Sequence, residues 1–194
     1  MTSIADQKTA ARRTARNRRR HAAKEHCATA PIEVINHLQN PVFASMLTKP
    51  LVIGGIWPLK NEIDPRPLMQ SLHAQGYTLS LPCTPTVGQP LTFRAWSPGD
   101  ALKEGPYDTR EPFPDKAEVL PTLVLVPMLA FTMTGKRLGY GGGFYDRTLA
   151  TLKSRHDVFA CGIAYAAQEA PDLPTDEFDH RLDGILTEQY FKAF

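Results

Sequence analysis

The apolar positions come in short compact blocks separated by polar, glycine- or proline-marked stretches. Leu123-Val124-Leu125-Val126 is an unbroken apolar run closed by Pro127, the pattern of a parallel strand covered on both faces. Leu51 to Ile56 is a second such run with Gly54 and Gly55 inside it, and glycines within a strand mark a place where something approaches the backbone closely. Tyr77 to Leu81, Leu91 to Trp96 and Val158 to Tyr165 read as further strands, with Cys161 a small core residue in the last. Asp64 to Gly76 reads as a helix with Asp64 as N-cap, Pro65 at its first position and Gly76 just past its end; Leu68, Met69 and Leu72 supply its buried face. Pro31 to Leu38 and Val42 to Leu47 read as short helices broken at Asn40-Pro41. After Pro127 a short loop and a glycine-rich turn lead into a helix over Phe144 to Thr151. Strands alternating with helices predict an α/β fold: a three-layer open sheet, mostly parallel and Rossmann-like, with helices on both faces, as a single domain over residues 1–194.

Composition narrows the function classes. The chain has 194 residues and a formal net charge of +2, enough for one domain with a real core and too near neutral for disorder or a nucleic-acid binder across the whole surface. No apolar run approaches the roughly 20 residues that span a bilayer, so a membrane is not expected as a partner. The N-terminus lacks the apolar core of a secretory signal. Cys27, Cys83 and Cys161 are widely spaced and never form a Cys-x-x-Cys pair, which fits a reducing cytoplasm better than a disulfide framework or zinc knuckle. Prolines cluster from Pro82 to Pro121, and the polar stretch at about 97–121 is long enough to cover a site.

Charge is concentrated at the N-terminus. Residues 5–28 hold Lys8, Arg12, Arg13, Arg16, Arg18, Arg19, Arg20 and Lys24 among alanines, a helix-favouring composition in which Asp6 suits the helix start. Such a stretch is a solvated basic face, a removable transit peptide, or a helix lending cations to a polyphosphate; a place for it within the fold rules out the second. The glycine turn holds Gly139, Gly141, Gly142 and Gly143, which let the backbone take positive φ and approach a ligand. It is bracketed by Lys136, Arg137 and Arg147, with Asp146 inside the helix that follows. Amides at a helix start, with the helix dipole, make an anion site. No Gly-Lys-Ser/Thr closes the turn, so it is not a Walker loop, and it lies too late in the chain for a dinucleotide fingerprint. Phosphate binding competes with a tight surface turn. Trp57 and Glu62 follow the Leu51–Ile56 run, where strand ends in open α/β sheets hold ligands; the competing reading makes Trp57 plain core and Glu62 a helix-start acid.

The block Arg137-Leu-Gly-Tyr-Gly-Gly-Gly-Phe-Tyr-Asp146-Arg, preceded by Val126-Pro-Met-Leu-Ala-Phe131, resembles the signature of the 5-formyltetrahydrofolate cyclo-ligase (5,10-methenyltetrahydrofolate synthetase) family. Trp57-Pro-Leu-Lys-Asn-Glu62-Ile-Asp-Pro-Arg-Pro-Leu is similar to that family's substrate segment. Leu91-Thr-Phe-Arg94-Ala-Trp-Ser-Pro-Gly-Asp100 and Glu111-Pro112 resemble its middle, and Phe178-Asp179 before Leu182-Asp-Gly-Ile-Leu-Thr187 its final strand. The resemblance implies nucleotide contacts from Lys8, Arg12, Arg137, Leu138, Gly139, Tyr140, Gly141, Gly142, Gly143, Phe144 and Tyr145. It implies folate contacts from Trp57 as a wall for the pterin ring, from Glu62 as acceptor for the pterin's amino and ring nitrogens, and from Tyr140 to Phe144. Arg137 and Tyr145 would act in catalysis, with Asp146 and Asp179 as ligands of Mg2+. Arg94 would have a weak ligand role. Two departures stand out. Thr132 replaces an acid that follows the Ala-Phe pair in many members, and Phe178 replaces the usual His before Asp179, with His180 following instead.

The reaction so implied is ATP-dependent cyclisation of 5-formyltetrahydrofolate, with or without a polyglutamate tail, to 5,10-methenyltetrahydrofolate with release of ADP and phosphate, by a cytoplasmic monomer. Two rivals are a nucleotide-binding homologue lacking this activity and an RNA-binding adaptor using the basic helix. The retained Trp57 and Glu62 speak against the first. The absence of aromatics interleaved with the arginines speaks against the second and against nucleic acid as a partner.

Overall fold

The computed structural model describes residues 3–48 and 50–194; Met1, Thr2 and Lys49 lie outside the described residues. The basic segment forms α1, Ile4–His26, with Ser3 as its N-cap accepting from the Asp6 amide. Its Ala22 and Ala23 are buried in the main core, so α1 is integral to the fold. The two expected short helices are α2, Ala30–Asn36, and α3, Pro41–Met46; Asn40 marks the break and its side-chain oxygen accepts from the Val42 and Phe43 amides. The chain then enters β1, Val52–Gly54, passes through α4, Arg66–Ala74, to β2, Thr78–Cys83, and returns as β3, Thr92–Ala95. A hairpin of β4, Leu102–Glu104, and β5, Arg110–Pro112, lies within the proline-rich connection. There follow β6, Leu123–Pro127, a small hairpin of β7, Ala130–Phe131, and β8, Arg137–Leu138, then α5, Phe144–Lys153, β9, Phe159–Ile163, β10, Gly184–Leu186, and β11, Phe191–Ala193.

The main sheet runs β11-β10-β9-β6-β1-β2-β3. Its inner neighbours pair in parallel, and β3 and β11 close the edges antiparallel. The central strand β6 explains the three layers. Leu123 and Leu125 enter a core with Ile53, Leu79, Leu81 and the α4 residues Leu68, Met69 and Leu72. Val124 and Val126 point the other way, into a core with Leu149 and Leu152 of α5. A strand that buries alternate side chains on both faces must be apolar throughout, and each such side chain contributes about 1.5–3 kcal/mol on leaving water. Gly54 and Gly55 are explained by core packing. A Cβ on Gly55 would lie 2.4 Å from Met69 Cε, and one on Gly54 2.7 Å from Phe93 Cε1.

Two local expectations change. Asp64 is not the cap of α4, which starts at Arg66 after Pro65. Its carboxylate instead accepts the Arg66 amide at 2.9 Å and grips the Arg66 guanidinium, an Asx turn competing with the cap. Arg94 is no ligand. It donates to the carbonyls of Pro114 and Lys116 and to Glu118, tying the proline-rich connection to β3.

The β4–β5 hairpin is held by a buried acid. Glu111, 2% exposed, accepts from the Thr84 amide at 2.8 Å and from Lys103 at 3.2 Å. Glu111→Ala strands that amide and is expected to lower stability by about 1–3 kcal/mol, read as a lower urea midpoint. An unchanged midpoint would mean that backbone pairing alone holds the hairpin.

Candidate active site

A cavity of about 1070 Å³ opens at the carboxyl ends of β1, β2 and β6, lined by Trp57, Thr84 and Pro127 among others, where open α/β sheets place ligands. Residues from the whole length of the chain meet there. Lys8 and Arg12 come from α1, Trp57 and Glu62 from the segment after β1, Tyr107 from the hairpin loop, Arg137 to Arg147 from the glycine turn, and Asp176 to His180 from the acidic stretch.

In the turn, positive φ occurs at Gly141 (107°) and Gly143 (65°), and Gly143 is the N-cap of α5. Gly139 and Gly142 do not need it, which corrects the reading that all of these glycines serve backbone freedom. At Gly142 a Cβ would lie 2.9 Å from the Phe144 ring, so a side chain there would displace that ring. The first amides of α5 lack intrahelical acceptors and face an N-terminus that the dipole makes positive. Arg12 Nε donates to the Gly139 carbonyl at 3.1 Å, and Arg147 Nη2 to the Gly142 carbonyl at 2.6 Å. Both guanidiniums thus sit against the turn. Arg13 and Arg16, from the same basic run, are exposed and do not line the cavity.

The expected cations and carboxylates are already paired with one another. Lys8 Nζ lies 2.6 Å from Asp179 Oδ2 and 2.7 Å from Asp176 Oδ2. Burial works against the Lys8 charge, yet its hydrogen bonds to Asp176 and Asp179 raise its pKa above the ordinary lysine value. The pairing with Lys8 draws Asp176 to the cavity. Arg137, 5% exposed, donates to Asp146. Burial lowers the Arg137 pKa, and Asp146 and Asp179 oppose that shift. The His180 amide donates to Asp146 Oδ1 at 3.1 Å, so the segments carrying Asp146 and Asp179 are adjacent on one wall. Among the described residues no three His, Cys, Asp or Glu side chains converge on a point. A cation here would take a pair of carboxylates and fill its shell with water and ligand oxygens, a donor set suited to a hard ion such as magnesium.

Thr132 has a local role. Buried at 2% exposure, its hydroxyl oxygen accepts from the Thr134 and Lys136 amides and closes the β7–β8 turn. Lys136 pairs with Asp172 and Arg137 with Asp146, so neither basic residue depends on an acid at position 132.

At the other end, Glu62 Oε2 accepts the Leu59 amide at 2.8 Å, and Oε1 accepts from the Tyr140 hydroxyl and Arg19. The Arg66 guanidinium covers the Trp57 ring at 4.8 Å. Burial, with the Glu62 carboxylate, pushes the Tyr145 phenol far above its usual pKa, against Arg137, so Tyr145 offers a neutral O–H donor. Tyr107 packs edge-on against Phe144 with centroids 6.1 Å apart. Arg19 and Tyr107 were not found by sequence reasoning. Arg19 was one arginine in a dense run, and Tyr107 an aromatic in a polar connection. Its φ of 60° is a strain visible only in the structure.

No helix among the described residues is long and apolar enough to cross a membrane. A sequence model of the 5-formyltetrahydrofolate cyclo-ligase family matches residues 4–188. Over 131 residues the chain is 35% identical to the 5-formyltetrahydrofolate cyclo-ligase of Haemophilus influenzae, covering 65% of this chain and 70% of that protein. It is 34% identical over 132 residues to the protein of that name from Escherichia coli K12, covering 66% and 72%. The solved 5,10-methenyltetrahydrofolate synthetase of Aquifex aeolicus superposes with a TM-score of 0.73 at 28% identity, over 96% of this chain and 92% of that one. The synthetase of Mycoplasma pneumoniae, at 20% identity and a TM-score of 0.69 over 93% and 98%, shares the fold. A family match that runs from α1 through the glycine turn to the end of β10 establishes that this chain belongs to the 5-formyltetrahydrofolate cyclo-ligase family.

Proposed function

We propose that this protein closes 5-formyltetrahydrofolate to 5,10-methenyltetrahydrofolate at the expense of ATP. The observation that carries the reading is the shared cavity: an anion-binding turn with Lys8, Arg12 and Arg137 at one end, and an aromatic wall with a hydrogen-bonded carboxylate at the other. The formyl oxygen on nitrogen 5 attacks the γ-phosphorus and ADP leaves. Nitrogen 10 then attacks the imidate carbon and gives up its proton to solvent, and inorganic phosphate departs with the former formyl oxygen. Phosphorylation is what turns an amide-like oxygen into a leaving group.

The chain offers no nucleophile for this reaction and needs none; its work is alignment and charge neutralisation. Lys8, Arg12, Arg137 and the first amides of α5 hold the triphosphate. Asp146 and Asp179 would hold magnesium, which supplies charge neutralisation along the phosphates. When nucleotide enters, the phosphates take over Lys8 and Arg137, which leaves both carboxylates free for the metal. Trp57 and the Tyr140–Phe144 turn flank the pterin ring, and Glu62 accepts from its amino and ring nitrogens in charge-assisted geometry. Tyr145, held neutral, donates to the reacting oxygen.

Mixing the protein with ATP, magnesium and 5-formyltetrahydrofolate, and following methenyl absorbance in acid, tests the reading. Absorbance that grows only when all three are present is expected. Intact ATP binding with no absorbance change would sink it.

A further inference from the structure

Arg19 is a buried cation that the scheme above does not use. It is 8% exposed and lies seven residues beyond Arg12, close to two helical turns, hence on the same face of α1. One guanidinium nitrogen, Nη1, donates to the Tyr140 hydroxyl and lies 3.4 Å from Glu62 Oε1. Tyr140 donates to that same carboxylate oxygen. The Arg19 guanidinium carbon is 5.3 Å from the centre of the Tyr140 ring. Arg19 Nε has no hydrogen-bond partner among the described residues.

For stability this is a poor arrangement. A buried guanidinium with a long single contact to its carboxylate and an unsatisfied Nε–H does no more for the fold than an apolar chain of like volume. What it does supply is orientation. Arg19 and Tyr140 act on Oε1 while the Leu59 amide holds Oε2, so the plane of the Glu62 carboxylate is set from both oxygens. A carboxylate so fixed offers acceptors, and it rejects a ring edge that presents an acceptor in place of a donor.

We infer that Arg19 is a positioning residue for Glu62, through which this end of the cavity selects a planar heterocycle with adjacent N–H donors. The inference rests on the reading of Glu62 as a folate-binding group. It also gives α1 a role at both ends of the cavity. Lys8 and Arg19 are separated by about 16 Å along the helix axis, one beside the acidic segment and the other beside the ring-binding acid.

The test is calorimetric titration of 5-formyltetrahydrofolate and, separately, of a non-hydrolysable ATP analogue with magnesium. The proteins are wild type, Arg19→Met, Arg19→Lys, Glu62→Gln and the Arg19→Met/Glu62→Gln double variant. Arg19→Met is expected to weaken folate binding ~10-fold or more, with the ATP analogue held within about threefold and Arg19→Lys recovering part of the loss. In the Glu62→Gln background, Arg19→Met is expected to add less than about twofold. An equal loss for both ligands, or a loss undiminished in the Glu62→Gln background, overturns the positioning role. Wild type that binds folate, with Arg19→Met unchanged, overturns this inference alone. Wild type that binds no folate overturns the underlying site reading as well.

Discussion

Asp146→Ala is expected to lower kcat/KM ~10²–10³-fold, the loss seen when a group that stabilises transition-state charge is removed. It is also expected to destabilise the fold by about 3 kcal/mol, because its partner Arg137 is left buried without a counter-charge. The lower end of the range for broken buried pairs applies, since the Asp146 side chain keeps 21% exposure against 4% for Arg137. The His180 amide loses its acceptor in the same change. The two effects separate when Arg137→Met is compared with the double variant Asp146→Ala/Arg137→Met, which removes the stranded charge. The thermal midpoint of the double variant should recover most of the loss, while its turnover falls well below that of Arg137→Met alone. Equal turnover in those two proteins would mean that Asp146 serves only to neutralise Arg137, and the metal assignment would fall with it.

Gly141→Val is expected to weaken nucleotide binding ~10²-fold, since displacement of aligned groups by an ångström can cost that much. At φ 107° a β-branched side chain is strained by about 1–3 kcal/mol. The turn relieves that strain by moving. A Cβ there also meets the Arg12 guanidinium at 3.3 Å, so the cation shifts with the amides. Gly139→Ala is the control for backbone strain. Its φ is not positive and its Cβ would meet only Arg137 Nη1 at 3.4 Å, so fold stability should stay within about 1 kcal/mol of wild type. Equilibrium dialysis of labelled nucleotide separates the two. A Gly141→Val protein that binds ATP like wild type would show that the turn does not grip the phosphates.

Strand β6 could be read directly because burial on both faces leaves no polar position in it, and an apolar run closed by proline has few other uses. Helix α5 and its glycine start were legible for a similar reason: the requirement is local, in φ and in the first-turn amides. The edges were less so. The β7–β8 hairpin is short, and its turn depends on Thr132 accepting from amides at positions 134 and 136, a use of threonine that composition does not signal. Asp64 suited a helix cap equally well, and the neighbouring Arg66 decided otherwise.

Sequence alone determined the α/β alternation, the doubly covered central strand and the glycine turn, because each follows from local periodicity or backbone freedom, and the family motifs named about half of the residues that line the cavity. Tertiary structure alone decided which arginines of α1 face the cavity and which face water, that Lys8 and Arg137 are held by Asp179 and Asp146, and that Arg19 reaches Glu62 across 43 positions of chain. Those outcomes turn on how α1 is rolled and seated against the glycine turn. In a helix whose face is crowded with like charges, only the packing of Ala15, Ala22 and Ala23 against the core selects one roll over another.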